Sequence, residues 1–349
     1  MPVGSGYLLG KDMFTLRRPD GSLLIEEIGN GVRKLTAVPL STNTFVSRTS
    51  CTTTYPVELI ESFLDFAGIT GVCEVIGRDS DPDTVANNIA ALTAAYCDPA
   101  EFVNRKILDF GCGGGASSVV LAKLFPESQV VGVDLRADKI QMAAARARHH
   151  GLKNVAFHVA PSGTELPSGI GQFDFAYLFA VYEHLLPRER PLVMKLLWSK
   201  LSDGGILFLD ATPHRYFPIE LHSTNLPLIN YLPDRVTHLM ARKFSRLRAE
   251  INKSPVWEDH LRGGIRGATE KQVVDSIGQD GRSVPLLLEP KRLGLEDRCD
   301  YWYSRLSPRY GIIKKALRMG LKMTYRVSGT VLTTNLSLAI KKERFPGNR

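Results

Sequence analysis

The spacing of apolar positions changes character along the 349 residues. Residues 1–55 mix short β-like runs at 23–28 and 31–38 with Gly, Pro and Thr, which predicts a small strand-rich extension. From Tyr55-Pro56 onward the spacing is helical, with Leu59, Ile60, Phe63, Leu64 and Ala67 apolar and Gly68 as the stop. A second helix is expected over 82–96, with Asp81 as its cap and Val85, Ile89, Leu92 and Tyr96 turned inward.

Strands and helices then alternate. Strands are expected at 106–110, 129–135, 155–160, 173–180 and 206–211, and helices at 116–125, 137–150 and 187–201. Strands separated by helices imply a mainly parallel sheet covered on both faces, so the fold class is α/β, doubly wound. Beyond Pro213 the pattern loosens. Helices are expected at 234–251 and 269–277, strands at 284–288 and 332–341, and an amphipathic segment at 310–327. The expected organisation is an extension at 1–55, a helical lead-in at 56–103, a core at 104–213 and an insertion with the last strands at 214–349.

Composition adds little that is unusual. Apolar residues make up 44% and charged residues 23%, as in ordinary globular chains. The five cysteines form no CxxC pair, which argues against a disulfide framework and fits a reducing compartment. No leader or membrane span is visible, so a cytoplasmic location is expected. The formal charge of +8 is concentrated at the end: residues 305–349 carry 11 Lys/Arg against one acid. The basicity therefore says little about the chemistry of the core.

The strongest chemical signal is Asp109-Phe110-Gly111-Cys112-Gly113-Gly114-Gly115. A strand runs into a glycine turn and then a helix whose first amide hydrogens can face a ligand. Asp134 ends the next strand, 23 residues after Gly111, where an acid can accept ribose hydroxyls. Gly111-x-Gly113-x-x-Ala116 also satisfies a dinucleotide fingerprint. Asp109 separates the two readings. A carboxylate there repels a pyrophosphate, by an amount on the order of 4 kcal/mol for unit charges about 4 Å apart near a surface. It suits a cationic methionine end instead.

Over residues 104–213 the chain resembles the class I S-adenosylmethionine-dependent methyltransferases, in particular the methyltransferase type 11/25 group. The pieces occur in order: the turn at 107–115, the strand ending in Asp134, Phe173-Asp174-Phe175-Ala176-Tyr177 with Val181-Tyr182-Glu183-His184-Leu185, and Ser202-Asp203-Gly204-Gly205-Ile206-Leu207. The resemblance implies a seven-stranded sheet and S-adenosyl-L-methionine as methyl donor. Asp109, Gly111, Cys112, Gly113 and Gly115 would hold its methionine part, Asp134 its ribose, and Leu135 its adenine. Phe179 and Ala180 would line the pocket near the sulfonium. Family members commonly carry an acid before Leu-Pro, where this chain has Ser162.

Glu183 and His184 follow the fourth strand of that core, and His214 follows the fifth. Histidine suits proton removal from a hydroxyl near neutral pH, so these three are the candidate catalytic residues. The stretch 212–222 adds Arg215, Glu220 and His222. With Glu183 and His184 they offer the donors a divalent cation uses, but a solvated loop accounts for them more simply, and no metal is expected. The expected reaction is O-methylation of a small molecule or a glycan or lipid precursor. An NAD(P)-dependent oxidoreductase and a non-catalytic binding protein are the alternatives. No interleaved basic and aromatic stretch points to nucleic acid.

In the tail, Ile312, Ile313, Ala316, Leu317 and Leu321 oppose Lys314, Lys315, Arg318 and Lys322 on helical spacing. Such a helix lies on an anionic membrane, or packs on its own domain with its basic face in solvent.

Overall fold

A computed structural model describes residues 7–8, 13–41, 46–81, 85–278, 283–306 and 311–344. The contacts divide the chain into two units. The first comprises 1–91, 112–126 and 136–157, and the second 92–111, 127–135 and 158–349.

In the first unit, β1 (Tyr7–Leu8), β2 (Met13–Arg18), β3 (Gly21–Gly29), β4 (Val32–Pro39) and β5 (Ser50–Thr53) form an antiparallel sheet in that order. Alternation puts Leu23, Ile25, Leu35 and Ala37 inward, where they meet Leu59, Ile60, Phe63 and Leu64 of α1 (Val57–Ser80). The helix does break at Gly68 (φ +64°), as its sequence predicts, but restarts at once. Asp20 Oδ2 accepts from the Ile69 amide at 2.8 Å and so provides a fresh cap, a long-range contact that local spacing does not reveal. α3 (Ala116–Leu124) and α4 (Ala137–His149) also belong here. Arg146 of α4 is wholly buried and donates to Asp79 Oδ1 at 2.7 Å; His150 Nε2 and the Tyr55 hydroxyl bond the other carboxylate oxygen.

α2 (Asn87–Tyr96) leads into the second unit; Pro82, where this helix was expected to begin, lies outside the described residues. Here β6 (Lys106–Phe110), β7 (Gln129–Asp134), β8 (Val155–Val159), β9 (Phe173–Phe179), β10 (Leu201–Pro213), β13 (Ser283–Leu287) and β14 (Asn335–Arg344) make a seven-stranded sheet. Its order is β13-β14-β10-β9-β6-β7-β8. β6 pairs in parallel with β7 and β9, and β9 with β10, while β14 runs antiparallel to both β10 and β13. The α/β class and the mainly parallel sheet are as expected. The core joins Leu108, Val131, Phe173, Leu178, Trp198, Leu207 and Leu338.

β10 begins earlier than its sequence suggests, directly after α5 (Arg190–Lys200). The glycine pair inside it makes a register shift rather than a turn. A Cβ on Gly205 would lie 2.7 Å from the Asp174 carbonyl oxygen, so the close approach needs glycine. Two short strands, β11 (Ile219–Glu220) and β12 (Leu226–Pro227), pair in the irregular stretch that follows. The expected helix over 234–251 is two, α6 (Asp234–Phe244) and α7 (Arg248–Ile251). Ser245 interrupts them by accepting the Leu247 amide on its hydroxyl. α8 (Trp257–Arg262) has no counterpart in the sequence reading, whereas α9 (Glu270–Ile277) starts at the Thr269 capping box.

The tail reverses one expectation. α11 (Gly311–Ser328) packs through its cations: Arg318 and Lys322 bond Asp300 of α10 (Arg298–Arg305), and Lys322 also reaches Glu296 and Asp297. Ile313, Met319, Met323 and Val327 face solvent, the last 84% exposed. The acidic groups around α10 decide which face turns inward. Tyr310, where this segment was expected to begin, lies outside the described residues. Among the described residues no helix is long and apolar enough to cross a membrane.

Candidate functional site

In the second unit the chain order of the sheet reverses between β6 and β9, since β6 continues to β7 on one side while β9 lies on the other. Ligands of open α/β sheets bind outside the carboxyl ends of the strands at such a reversal. Here those ends are Gly111 and Ala180. Gly111 has φ +72° and donates its amide to the Val133 carbonyl at 2.8 Å; a Cβ on it would stand 2.7 Å from Val181 Cγ2. Ala180, not a glycine, is held at φ +55°, with its amide bonded to the Asp210 carbonyl at 3.0 Å. Ala211, two residues before the end of β10, has φ +65°. Non-glycine residues in this region cost on the order of 1 kcal/mol or more each, and such strain gathers at functional sites.

Beyond Gly111 the turn closes through the Gly115 amide on the Cys112 carbonyl at 2.9 Å. Gly113 (φ +55°) faces open space, with nothing within 4 Å of a built Cβ. Gly115 (φ +82°) precedes α3 and lies against α4: a Cβ there would come within 2.5 Å of Ala143 Cβ. Gly115, the cap residue of α3, has no side chain to offer its first amides.

Asp109 is buried on β6, and Asp134 is nearly so at the end of β7. Leu135, next in the chain, is 55% exposed, an apolar surface beside the acid. The Ser162 turn passes close to it, since a Cβ on Gly163 would lie 3.9 Å from Leu135 Cδ1. Ser162 Oγ accepts the Thr164 amide at 3.3 Å, shaping its own turn. Phe179 and Ala180 are half-buried.

The acceptor-side candidates separate into two places. Glu183 is fully buried; Thr212 Oγ1 donates to its Oε2 at 2.9 Å, while Oε1 has no hydrogen-bond partner among the described residues. His184 Nδ1 donates to the Arg262 carbonyl at 2.7 Å, which turns Nε2 toward Glu183 Oε1, 3.7 Å away. His222 joins them, its ring centroid 5.7 Å from that of His184. Burial lowers the His222 pKa against the opposing pull of Glu183. Glu220 is spent on fixing this loop, accepting the amides of His222, Ser223 and Thr224.

His214 is buried and bonded differently. Its Nδ1 accepts the Tyr216 amide at 3.1 Å, so the proton resides on Nε2, which has no partner among the described residues. Burial lowers its pKa to about 4. It is placed as a neutral donor. Arg215 bonds the Asn230 carbonyl and so supports the loop. Sequence reasoning missed Thr212, Arg262 and Gly264; the Gly263-Gly264 pair was the only local signal.

A family model for a methyltransferase domain matches residues 101–238. Over this segment the chain is similar to methyltransferase domains. Its glycine turn, compatible by itself with a dinucleotide, is therefore that of a methyltransferase domain. Trans-aconitate 2-methyltransferase of Rhodopseudomonas palustris is 35% identical over 105 residues, covering 30% of this chain and 37% of that protein. The mitochondrial ubiquinone biosynthesis O-methyltransferase of Candida albicans is 30% identical over 173 residues, covering 49% of this chain and 50% of that one. Geranyl diphosphate C-methyltransferase of Streptomyces coelicolor, a solved structure, shares 17% identity and a TM-score of 0.39, over 74% of this chain and 80% of that one. The chain spans half or less of the length of these curated relatives.

Proposed function

We propose that the protein transfers a methyl group from S-adenosyl-L-methionine to an oxygen of a small molecule or of a glycan or lipid precursor. The carrying observation is the reversal point of the sheet, where buried Asp109 and Asp134 flank a turn through Gly111, within the matched methyltransferase segment. The residues fit such a donor. Asp109 beside Gly111 would hold the methionine part, Asp134 would accept the ribose hydroxyls, and Leu135 would cover adenine.

The donor's sulfonium supplies an already activated methyl group, and positioning provides much of the remaining rate. His184 Nε2 can take a hydroxyl proton, because its Nδ1 is held by Arg262 and Glu183 stabilises the resulting cation.

The outward apolar face of α11 supports the lipid-precursor class. The helix contains no acidic residue, and exposed Lys315 and Arg326 accompany the strip, a combination that suits an anionic bilayer surface.

Titration calorimetry with S-adenosylmethionine should show binding, with Asp134→Ala weaker by at least tenfold, the scale of charge-assisted bonds worth about 1.5–3 kcal/mol. Labelled donor offered with hydroxyl, amine and carbon acceptors then identifies the class. Failure to bind the donor, or unchanged affinity in Asp134→Ala, would end this reading.

A further inference from the structure

We propose that Glu183, His184 and His222 form a binding site for one divalent first-row transition cation of the zinc type. Their donor atoms all lie within 4.8 Å of one another. Donors about 2.1 Å from a tetrahedral ion stand about 3.4 Å apart, so the 3.7 Å between His184 Nε2 and Glu183 Oε1 is close to ligating geometry. Two imidazoles and one carboxylate with an open position are a recurring set for such ions, whereas magnesium prefers all-oxygen shells.

Independent features point at the same spot. Glu183 is 0% exposed, and its Oε1 is a buried oxygen with no hydrogen-bond partner among the described residues. An uncompensated buried carboxylate oxygen is costly, and a cation removes that cost. The ligands are oriented from behind: Thr212 holds the second oxygen of Glu183, and the Arg262 carbonyl fixes the His184 tautomer with Nε2 available. His222 rides on a loop whose amides are clamped by Glu220.

Gly264 completes the arrangement. At φ +81° it leaves room for the His222 ring, and a Cβ would lie 2.7 Å from His222 Nε2 and 3.3 Å from Glu183 Cγ. The open coordination position would accept an oxygen ligand, which places the ion where the acceptor is proposed to bind; with the ion in place His184 Nε2 is its ligand, and the ion would take over from the imidazole by lowering the pKa of the bound hydroxyl. That role rests on the proposed methyl transfer; the binding of the ion does not.

The test strips the full chain with chelator and titrates it with Zn²⁺ and Mn²⁺ alone, reading calorimetry and metal content after desalting. One equivalent is expected, with affinity at least tenfold weaker in His222→Ala and Glu183→Gln and 10–100-fold weaker in Thr212→Val. His222 lies on a surface loop with its ring against Gly264, so His222→Ala keeps the fold and circular dichroism verifies it. No uptake by the wild type, or equal uptake by His222→Ala and Glu183→Gln, overturns the site. S-adenosylmethionine affinity is measured on the same stripped protein. Donor binding without metal uptake defeats only the cation site, and metal uptake without donor binding defeats only the methyl-transfer reading.

Discussion

His214 should make stability depend on pH in a calculable way. Its folded pKa is lowered by burial to about 4, against the ordinary 6.5. Between these values the unfolded chain binds a proton that the folded chain does not, so stability falls as pH falls below 6.5 and the loss is complete below about 4. From pH 7 to pH 5 the linkage of this one site between folded and unfolded states gives a loss of about 2 kcal/mol, and the full difference between 6.5 and about 4 corresponds to roughly 3 kcal/mol. His214→Asn keeps an acceptor for the Tyr216 amide and removes the titrating ring. The variant will be less stable at every pH because the ring leaves a cavity, but its pH slope should be shallower by about 2 kcal/mol over the same interval. Urea unfolding at pH 5, 6 and 7 measures this. The other titrating groups are common to both proteins and cancel in the comparison. Identical slopes for wild type and variant would refute the buried neutral imidazole, and with it the assignment of His214 as donor rather than base.

Other outcomes follow from named contacts. Gly115→Ala should destabilise by about 2 kcal/mol or more, since a left-handed Cβ meets Ala143, whereas Gly113→Ala should cost only about 1 kcal/mol yet weaken donor binding by occupying open space; thermal melts and calorimetry separate them, and equal behaviour contradicts the reading. Asp79→Ala should cost about 3–5 kcal/mol because buried Arg146 loses its partner, whereas Arg18→Ala, breaking an exposed pair, should cost under about 1 kcal/mol; urea midpoints decide. Vesicles rich in anionic lipid should float the protein, and Met323→Glu with Val327→Glu should abolish this at unchanged melting temperature; a wild type left wholly in the soluble fraction refutes surface binding.

The chemistry was legible where it depends on chain neighbours. The strand-turn-helix at 106–124 and the acid ending β7 follow from period, glycine and spacing, because each requires only residues adjacent in sequence. Contacts decided at long range were not legible. Arg146 reads as one basic residue of an alanine-rich helix, and Asp79, 67 positions earlier, together with the Val75 carbonyl explains its burial. Likewise α11 has two plausible inner faces by periodicity, and Asp300 together with Glu296 selects the cationic one. His222 joins Glu183 through a loop that Glu220 ties down, a bond network no local pattern announces.

Two of the places where local preference and the global fold disagree lie on neighbouring strands. Ala180 and Ala211 adopt left-handed backbone toward the carboxyl ends of these strands, although glycine would do so without strain. The surrounding bonds hold them there: the Ala180 amide is tied to Asp210, and β10 shifts register between Asp210 and Thr212. That shift sets Thr212 so that its hydroxyl reaches Glu183. The backbone strain and the orientation of the buried carboxylate are thus parts of one arrangement. Because glycine adopts this backbone freely, Ala211→Gly should keep the Thr212–Glu183 bond and raise the melting temperature, and a thermal melt without a gain contradicts the strain.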